Sequence, residues 1–193
     1  MKDKLEFVGE IMRKLTYKRI VSQEDKDIFL INEIHSKPEI KKYISIGVNY
    51  FNYVTTTENV FFYKVYKERN FVGTIHLETN DNIIYMDILI VPEFQKSGLG
   101  TKVINDIKDD IFNLSFKKFK VSIDENNIPS LRLFEKAGFK FVSQEEELKN
   151  YEYLKNNKEQ IKKNKEQIRN EIIDFCSLFW YNICGDDYYE IRF

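Results

Sequence analysis

The 193-residue chain is short of the residues that most often carry special chemistry. Its two cysteines, Cys176 and Cys184, fall near the C-terminus, which excludes a disulfide framework and any C-x-x-C metal or redox motif. His35 and His76 stand apart in sequence, with no HxxxH or HExxH spacing, so no metal site is expected. The longest apolar runs, residues 83–91 and 175–184, are too short to cross a bilayer, and Asp87 interrupts the first. Residues 1–15 read as an amphipathic helix and not as a signal peptide. These readings lead to the expectation of a cytoplasmic protein with no membrane partner.

Charge of one sign is also missing. The 30 basic and 31 acidic side chains balance through residue 90, again over 91–155, and again from 156 on. No segment carries the positive surplus that nucleic acid or an anionic surface would want, so no nucleic-acid partner is expected. Glycine is scarce, 7 residues where average usage would give roughly 14, and there are 3 prolines. So few glycines draw attention to where each one stands.

What is present is a soluble globular composition, 42% hydrophobic and 32% charged, long enough for one domain with an appendage. Residues 14–21 alternate as a first strand. Ser22, followed by Glu24 and Asp25, reads as the cap and acidic first turn of a helix running to about His35. Pro38 starts a second short helix. Residues 60–67, 71–78 and 83–91 read as an antiparallel meander joined by the turns Glu68-Arg69-Asn70 and Asn80-Asp81-Asn82. Leu99, Val103, Ile104, Ile107 and Ile111 then follow helical spacing. A strand over 119–123, a helix over about 128–137 ending at Gly138, and strands over 139–143 and 149–155 complete an α/β domain, residues 1–155. Residues 156–193 form a separate extension. There KEQIKKN and KEQIRNE nearly repeat, and Ile161, Ile168, Ile172, Phe175 and Phe179 make one apolar stripe. That stripe suits a helix packed on its own domain or one that pairs two copies into a homodimer.

The chemistry-bearing stretch is a strand, then Pro92-Glu93-Phe94, then Gln95-Lys96-Ser97-Gly98-Leu99-Gly100-Thr101, then a helix. A glycine loop feeding a helix N-terminus is an anion site: backbone N–H groups converge there and the helix end adds partial positive charge. The P-loop pattern GxxxxGK(S/T) is absent, and Val103 stands where the Rossmann pattern needs a third glycine. What remains, Gln-x-x-Gly-x-Gly after Ile90-Val91-Pro92-Glu93-Phe94, resembles the pyrophosphate loop of the GNAT superfamily of acetyl-CoA-dependent N-acetyltransferases, as in small bacterial GNAT-domain proteins. Asn127, Ser130, Phe134 and the closing Gly138-Phe139 are similar to the family's second signature. Phe71-Val72-Gly73-Thr74-Ile75 looks like its third strand. The resemblance spans about residues 14–155.

The resemblance implies a mixed, mostly antiparallel sheet of six to seven strands flanked by helices. It implies acetyl-CoA as acyl donor and an amine as acceptor. The N–H groups of Gln95, Lys96, Ser97, Gly98, Leu99, Gly100 and Thr101 would hold the pyrophosphate. The backbone at Ile88 and Ile90 would pair with the pantetheine arm, and Asn127, with Ser130 and Phe134 on the same helix, would border it. Two further assignments rest on the residues themselves. Asp87 is the only charge inside an apolar strand, so burial would raise its pKa and suit it to general-base work, with Glu78 as second candidate; a solvated or ion-paired strand carboxylate is the plainer alternative. Tyr43, Tyr50, Phe51 and Tyr53 would wall an acceptor pocket, unless they are ordinary core aromatics.

The chain departs from the family at Phe134, where a tyrosine often protonates the leaving thiolate. A thiol of pKa ~8.5 lies only about 1.5 units above neutral, roughly 2 kcal/mol, so a dedicated acid is dispensable. Tyr85 and Tyr53 are alternative acids. Three readings therefore stand side by side: an active N-acetyltransferase, a CoA- or acyl-CoA-binding module with weak or lost catalysis, and an interaction protein working through its C-terminal helix.

Overall fold

The computed structural model describes residues 14–114 and 116–155. The readings of residues 1–13 and 156–193, the pairing of two copies included, lie outside the described residues.

Seven strands form one sheet in the order β1-β2-β3-β4-β5-β7-β6. They are β1 (Leu15–Arg19), β2 (Val60–Lys67), β3 (Asn70–Asn80), β4 (Ile83–Ile90), β5 (Lys118–Asp124), β6 (Lys140–Glu145) and β7 (Leu148–Leu154). Among the described residues, five α-helices accompany them: α1 (Ile28–Ser36), α2 (Pro38–Lys41), α3 (Tyr50–Thr56), α4 (Leu99–Lys108) and α5 (Ile128–Lys136). Pro92–Phe94 adds one 3-10 turn before α4. All pairs are antiparallel except β4 with β5. This is the mixed, mostly antiparallel α/β sheet expected from the sequence.

Local sequence explains the hairpins. Lys67 pairs with Asn70, leaving Glu68-Arg69 as the turn, and Asn80 pairs with Ile83, leaving Asp81-Asn82. Asp81 and Asn82 both take positive φ, 46° and 67°, the geometry that matches a hairpin's right-handed twist and that Asn and Asp tolerate. Gly73 answers a steric demand, since a Cβ there would lie 2.0 Å from the Leu89 carbonyl oxygen on β4. β3 and β4 can therefore close against each other only with glycine at this position.

The sheet is covered on both faces. One face packs Val72, Ile75, Leu77, Ile84 and Met86 against Val103, Ile104 and Ile107 of α4 and Leu131 and Phe134 of α5. On the other, Ile31 of α1 and Phe51 and Val54 of α3 meet Ile20, Val60 and Phe62. No helix among the described residues is long and apolar enough to cross a membrane.

Two sequence expectations need correction here. The first helix begins at Ile28, not at the acidic turn after Ser22. Ser22 Oγ does accept from the Glu24 N–H at 3.1 Å, but Asp25 and Asp27 turn inward, placing carboxylate oxygens 2.7 and 2.6 Å from the ammonium of Lys64. Lys64 is buried on β2. A buried ammonium needs paired charge more than the helix needs acids in its first turn. The second correction is α3, seven residues that the sequence left as an aromatic patch without helical assignment.

Candidate active site

The site is organised by β4. It pairs with β5 only at Ile83, Ile84 and Tyr85, after which β5 continues against β7 and leaves the second half of β4 without a neighbour on that side. The Val91 N–H bonds to the Val72 carbonyl at 3.0 Å, so Val91 and every second residue before it face β3. The backbone groups of Ile90 and Ile88 therefore face the gap. The Ile90 carbonyl there accepts from Gln95 Nε2 at 2.9 Å, which ties the following loop to the end of the strand.

That loop is shaped by positive φ at Lys96 (58°) and Gly98 (84°). Gly98 is the N-cap of α4 and sits in the left-handed region that glycine enters at no steric cost. The first helical hydrogen bond runs from the Lys102 N–H to the Gly98 carbonyl at 3.1 Å. The N–H groups of Leu99, Gly100 and Thr101 precede it and point outward at the positive end of α4. Ser97 Oγ donates to the Phe94 carbonyl and pins the loop from within. Leu99 itself is a core side chain, so only its backbone can serve a ligand. Asn127 caps α5, its Oδ1 accepting from the Ser130 N–H at 3.3 Å. Phe134 lies in the core. It is 4% exposed and packs edge-on against Phe139 at 5.0 Å between ring centroids.

These features suit a bound CoA. The gap offers an unpaired strand edge for the amides of a pantetheine arm, and the glycine loop offers converging N–H groups for a pyrophosphate.

On the face of β4 away from α4 lies a cavity of about 200 Å³. Strand alternation and register bring its polar groups together. His76 and Glu78 lie two apart on one face of β3, and His76 is the cross-strand partner of Asp87. From α3, Tyr50 and Tyr53, one turn apart, project onto this pair. The Tyr50 hydroxyl meets His76 Nδ1 at 2.5 Å, while His76 Nε2 lies 3.0 Å from Glu78 Oε1. The Tyr53 hydroxyl donates to the same Glu78 oxygen at 2.8 Å. Ile44, Ile46, Phe62 and Leu89 supply the apolar wall, and His35 of α1 closes one side.

Electrostatics sharpen this arrangement. Burial pushes the Tyr50 hydroxyl well above its ordinary pKa, helped by the charges of Asp87 and Glu78. Tyr50 thus keeps its proton and donates it to Nδ1, which leaves the ring proton on Nε2, directed at Glu78. Asp87 opens to solvent through the cavity, yet the surrounding protein mass raises its pKa, with His76 opposing and Glu78 adding to the rise. An occupied cavity would expel that water and strengthen the same upward push.

The structure brings Asp87, Glu78, Tyr50 and Tyr53 together. It does not bring in Phe51, which is buried beneath α3, or Tyr43, whose hydroxyl donates instead to the Asn126 carbonyl at 3.3 Å. His76 was missed by sequence reasoning, which set it aside as an isolated histidine. The usable signal was its period-two spacing from Glu78 on a strand whose hairpin partner carries Asp87. A second cavity, of about 230 Å³, lies around the Asp81-Asn82 turn with Asn59, Thr79 and Phe116 in its walls, and it holds no acid–base pair.

Comparison with known proteins agrees with this geometry. The family model "Acetyltransferase (GNAT) family" matches residues 25–139, more than half of the chain. No curated protein matches the chain. Among solved structures, a domain from Methanocaldococcus jannaschii is similar at 24% identity and a TM-score of 0.63, covering 73% of this chain and 98% of that one. The spermidine N-acetyltransferase of Vibrio cholerae, solved with CoA and spermine, is similar at 20% identity and a TM-score of 0.63, with 73% and 95% covered. The Campylobacter jejuni N-acetyltransferase PseH, solved with acetyl coenzyme A, is similar at 13% identity and a TM-score of 0.61, with 74% and 100% covered. With the pyrophosphate-type loop, the splayed β4 edge and the family match in agreement, the chain belongs to the GNAT family of acetyltransferases, acyltransferases that use acetyl-CoA as co-substrate.

Proposed function

We propose that the protein transfers an acetyl group from acetyl-CoA to a primary amine of a small molecule or peptide, the amine attacking the thioester directly. One observation carries the reading: a single strand, β4, faces the cofactor gap with the backbone of Ile88 and Ile90 and the acceptor cavity with the carboxyl of Asp87. Likeness to structures solved with acetyl-CoA, and with CoA and a polyamine, supports the same kind of pair.

The N–H groups from Gln95 to Thr101 bind the pyrophosphate, and Gly98 sets their direction. The β4 edge orients the pantetheine arm, with Asn127 at the opposite bank. Acetyl-CoA supplies an activated acyl group, which the amine can take only as a free base. Asp87, its pKa raised by burial, takes the amine's proton. Glu78 is the second acceptor, held in place by Tyr53 and the Nε2–H of His76. Phe134 in the core supplies no acid. That absence alone favours a CoA-binding module without catalysis, and the Asp87 and Glu78 carboxyls and the His76 imidazole gathered in the cavity count against it.

Two measurements test this. CoA at about 100 times its Kd should stabilise the fold by roughly 2.7 kcal/mol, a rise of about 5–10 °C in Tm for a domain of this size. Acetyl-CoA with a panel of primary amines should release thiol. No stabilisation by millimolar CoA would sink the reading, and stabilisation without thiol release from any amine would reinstate the binding module.

A further inference from the structure

The acceptor cavity has a one-sided charge. Among the described residues, its lining includes the carboxylates of Glu78 and Asp87 and neither lysine nor arginine. By register, Lys64 is a cation on the same face of the sheet, cross-strand from Thr74. It is already held by Asp25 and Asp27 at 2.7 and 2.6 Å. Two imidazoles adjoin the carboxylates, and that of His76, its Nε2 3.0 Å from Glu78 Oε1, offsets part of their charge. Both ring nitrogens of His76 are taken up by Tyr50 and Glu78. His35, 4% exposed, has no hydrogen-bond partner for either ring nitrogen among the described residues. Burial holds its pKa down, opposed only in part by the backbone of Ile44, so it stays neutral at pH 7. The remaining wall is apolar or aromatic apart from the uncharged hydroxyls of Ser45 and Thr74. At about 200 Å³, the space is below the ~300 Å³ of ordinary ligand pockets.

We propose that the acceptor is a small cationic amine with no carboxylate beside its amino group, its ammonium drawn to Glu78 and Asp87 and its apolar body lying against Ile44, Ile46 and Phe62. This rests on the N-acetyltransferase reading above and adds the substrate class to it. An alkyl- or arylalkylamine meets opposite charge at the floor of the cavity and apolar surface above it. The corresponding amino acid brings a carboxylate to two carboxylates, with no cation to receive it. Discrimination of this kind comes from the repulsive partner as much as from the attractive one.

Matched pairs isolate that single group. Thiol release from acetyl-CoA is measured at pH 7.5 with tyramine against tyrosine and with phenethylamine against phenylalanine. The expected result is a kcat/KM at least about tenfold higher for the amine in both pairs, with the ratio narrowed in Glu78→Gln, whose folding is checked by its Tm with and without CoA. Should Glu78→Gln fail to fold, titration of the wild-type protein with tyramine and tyrosine in the presence of CoA replaces it, and tyramine must bind more tightly. Equal or better use of the amino acids would overturn the proposal while leaving the acetyltransferase reading in place. Failure of all four compounds both as acceptors and as ligands would also overturn it, although CoA still bound. Absence of CoA binding would remove the underlying reading itself.

Discussion

The two banks of β4 are built on different principles. On the cofactor bank the working groups are backbone: the open edge at Ile88 and Ile90 and the N–H groups between Gln95 and Thr101. On the acceptor bank they are side chains drawn from α1, α3, β3 and β4. A backbone site depends on φ and on which neighbour is missing, and tolerates exchange of most side chains. A side-chain site depends on single atoms, such as the Glu78 oxygen that serves both Tyr53 and His76. The acceptor bank should therefore be far more sensitive to conservative substitution than the cofactor bank.

The largest effect that could break this contrast is expected at Asp87. Asp87→Asn keeps the shape and removes the base, so kcat should fall about 10²- to 10⁴-fold, the usual contribution of a positioned base. CoA affinity, measured by thermal shift or calorimetry, should stay within about twofold. A kcat within threefold of wild type would pass the base role to Glu78 or to water.

Next in size is the support under the acceptor bank. Lys64→Met removes the ammonium and leaves Asp25 and Asp27 facing β2 without it. Breaking a buried ion pair costs about 3–5 kcal/mol and an exposed pair at most about 1. The two carboxylates here retain 19% and 18% side-chain exposure, so about 2 kcal/mol is expected in urea unfolding. The ion cluster is also acid-sensitive. Burial would raise the Asp27 pKa, but hydrogen bonds from Lys64 and Tyr66 outweigh it and hold the value below normal. Its contribution is thus complete above the unfolded carboxyl pKa near 3.9 and is lost as pH falls through the lower folded value. Wild type should lose stability below about pH 4 more steeply than Lys64→Met.

The cofactor bank offers the sharper half of the comparison. Gly98→Val forces a β-branched residue to φ near 84°, at a cost of about 1–3 kcal/mol. A loop that relaxes away from that angle turns its N–H groups, so CoA affinity should fall roughly tenfold. Thr101→Ala, at an exposed position on the same loop, keeps every N–H and should change it less than about threefold. Equal losses in the two variants would mean that side chains, and not the backbone, hold the pyrophosphate.

The same contrast explains what could be read from the sequence. The cofactor loop is local: Pro92 to Thr101 lie within one contiguous stretch whose glycines announce its geometry. The β2-β3-β4 meander followed from alternation and turn residues, whereas the parallel pairing of β4 with β5 and the place of β7 between β5 and β6 are set by long-range packing that no local signal announces. The acceptor cavity is not local. His76 looked isolated because its partners, Asp87 by register and Tyr50 by docking of α3, are distant in sequence. A helix as short as α3 has little periodicity to reveal it, so the sequence could not separate Tyr50 and Tyr53 on its cavity face from Phe51 and Val54 on its buried face. Nor could a charge balance taken along the chain show that the fold gathers Glu78 and Asp87 in one cavity and draws Lys64 away to Asp25 and Asp27.

The smallest effect tests whether the acceptor bank is strained for its task. The folded pKa of Asp87 is raised, chiefly by burial, above the ~3.9 of the unfolded chain. The folded state then holds the proton more tightly than the unfolded one. Below the unfolded pKa the group contributes nothing. As pH rises through the window between the two values the fold loses stability, and above the folded pKa the whole penalty remains. Asp87→Asn cannot ionise and escapes it. The variant that is most damaged in kcat should therefore have a Tm equal to or slightly above wild type at pH 7, and the difference should vanish near pH 4. A lower Tm at pH 7 would show that the Asp87 charge is satisfied by the fold, and an already satisfied carboxylate has little reason to take a proton from an amine.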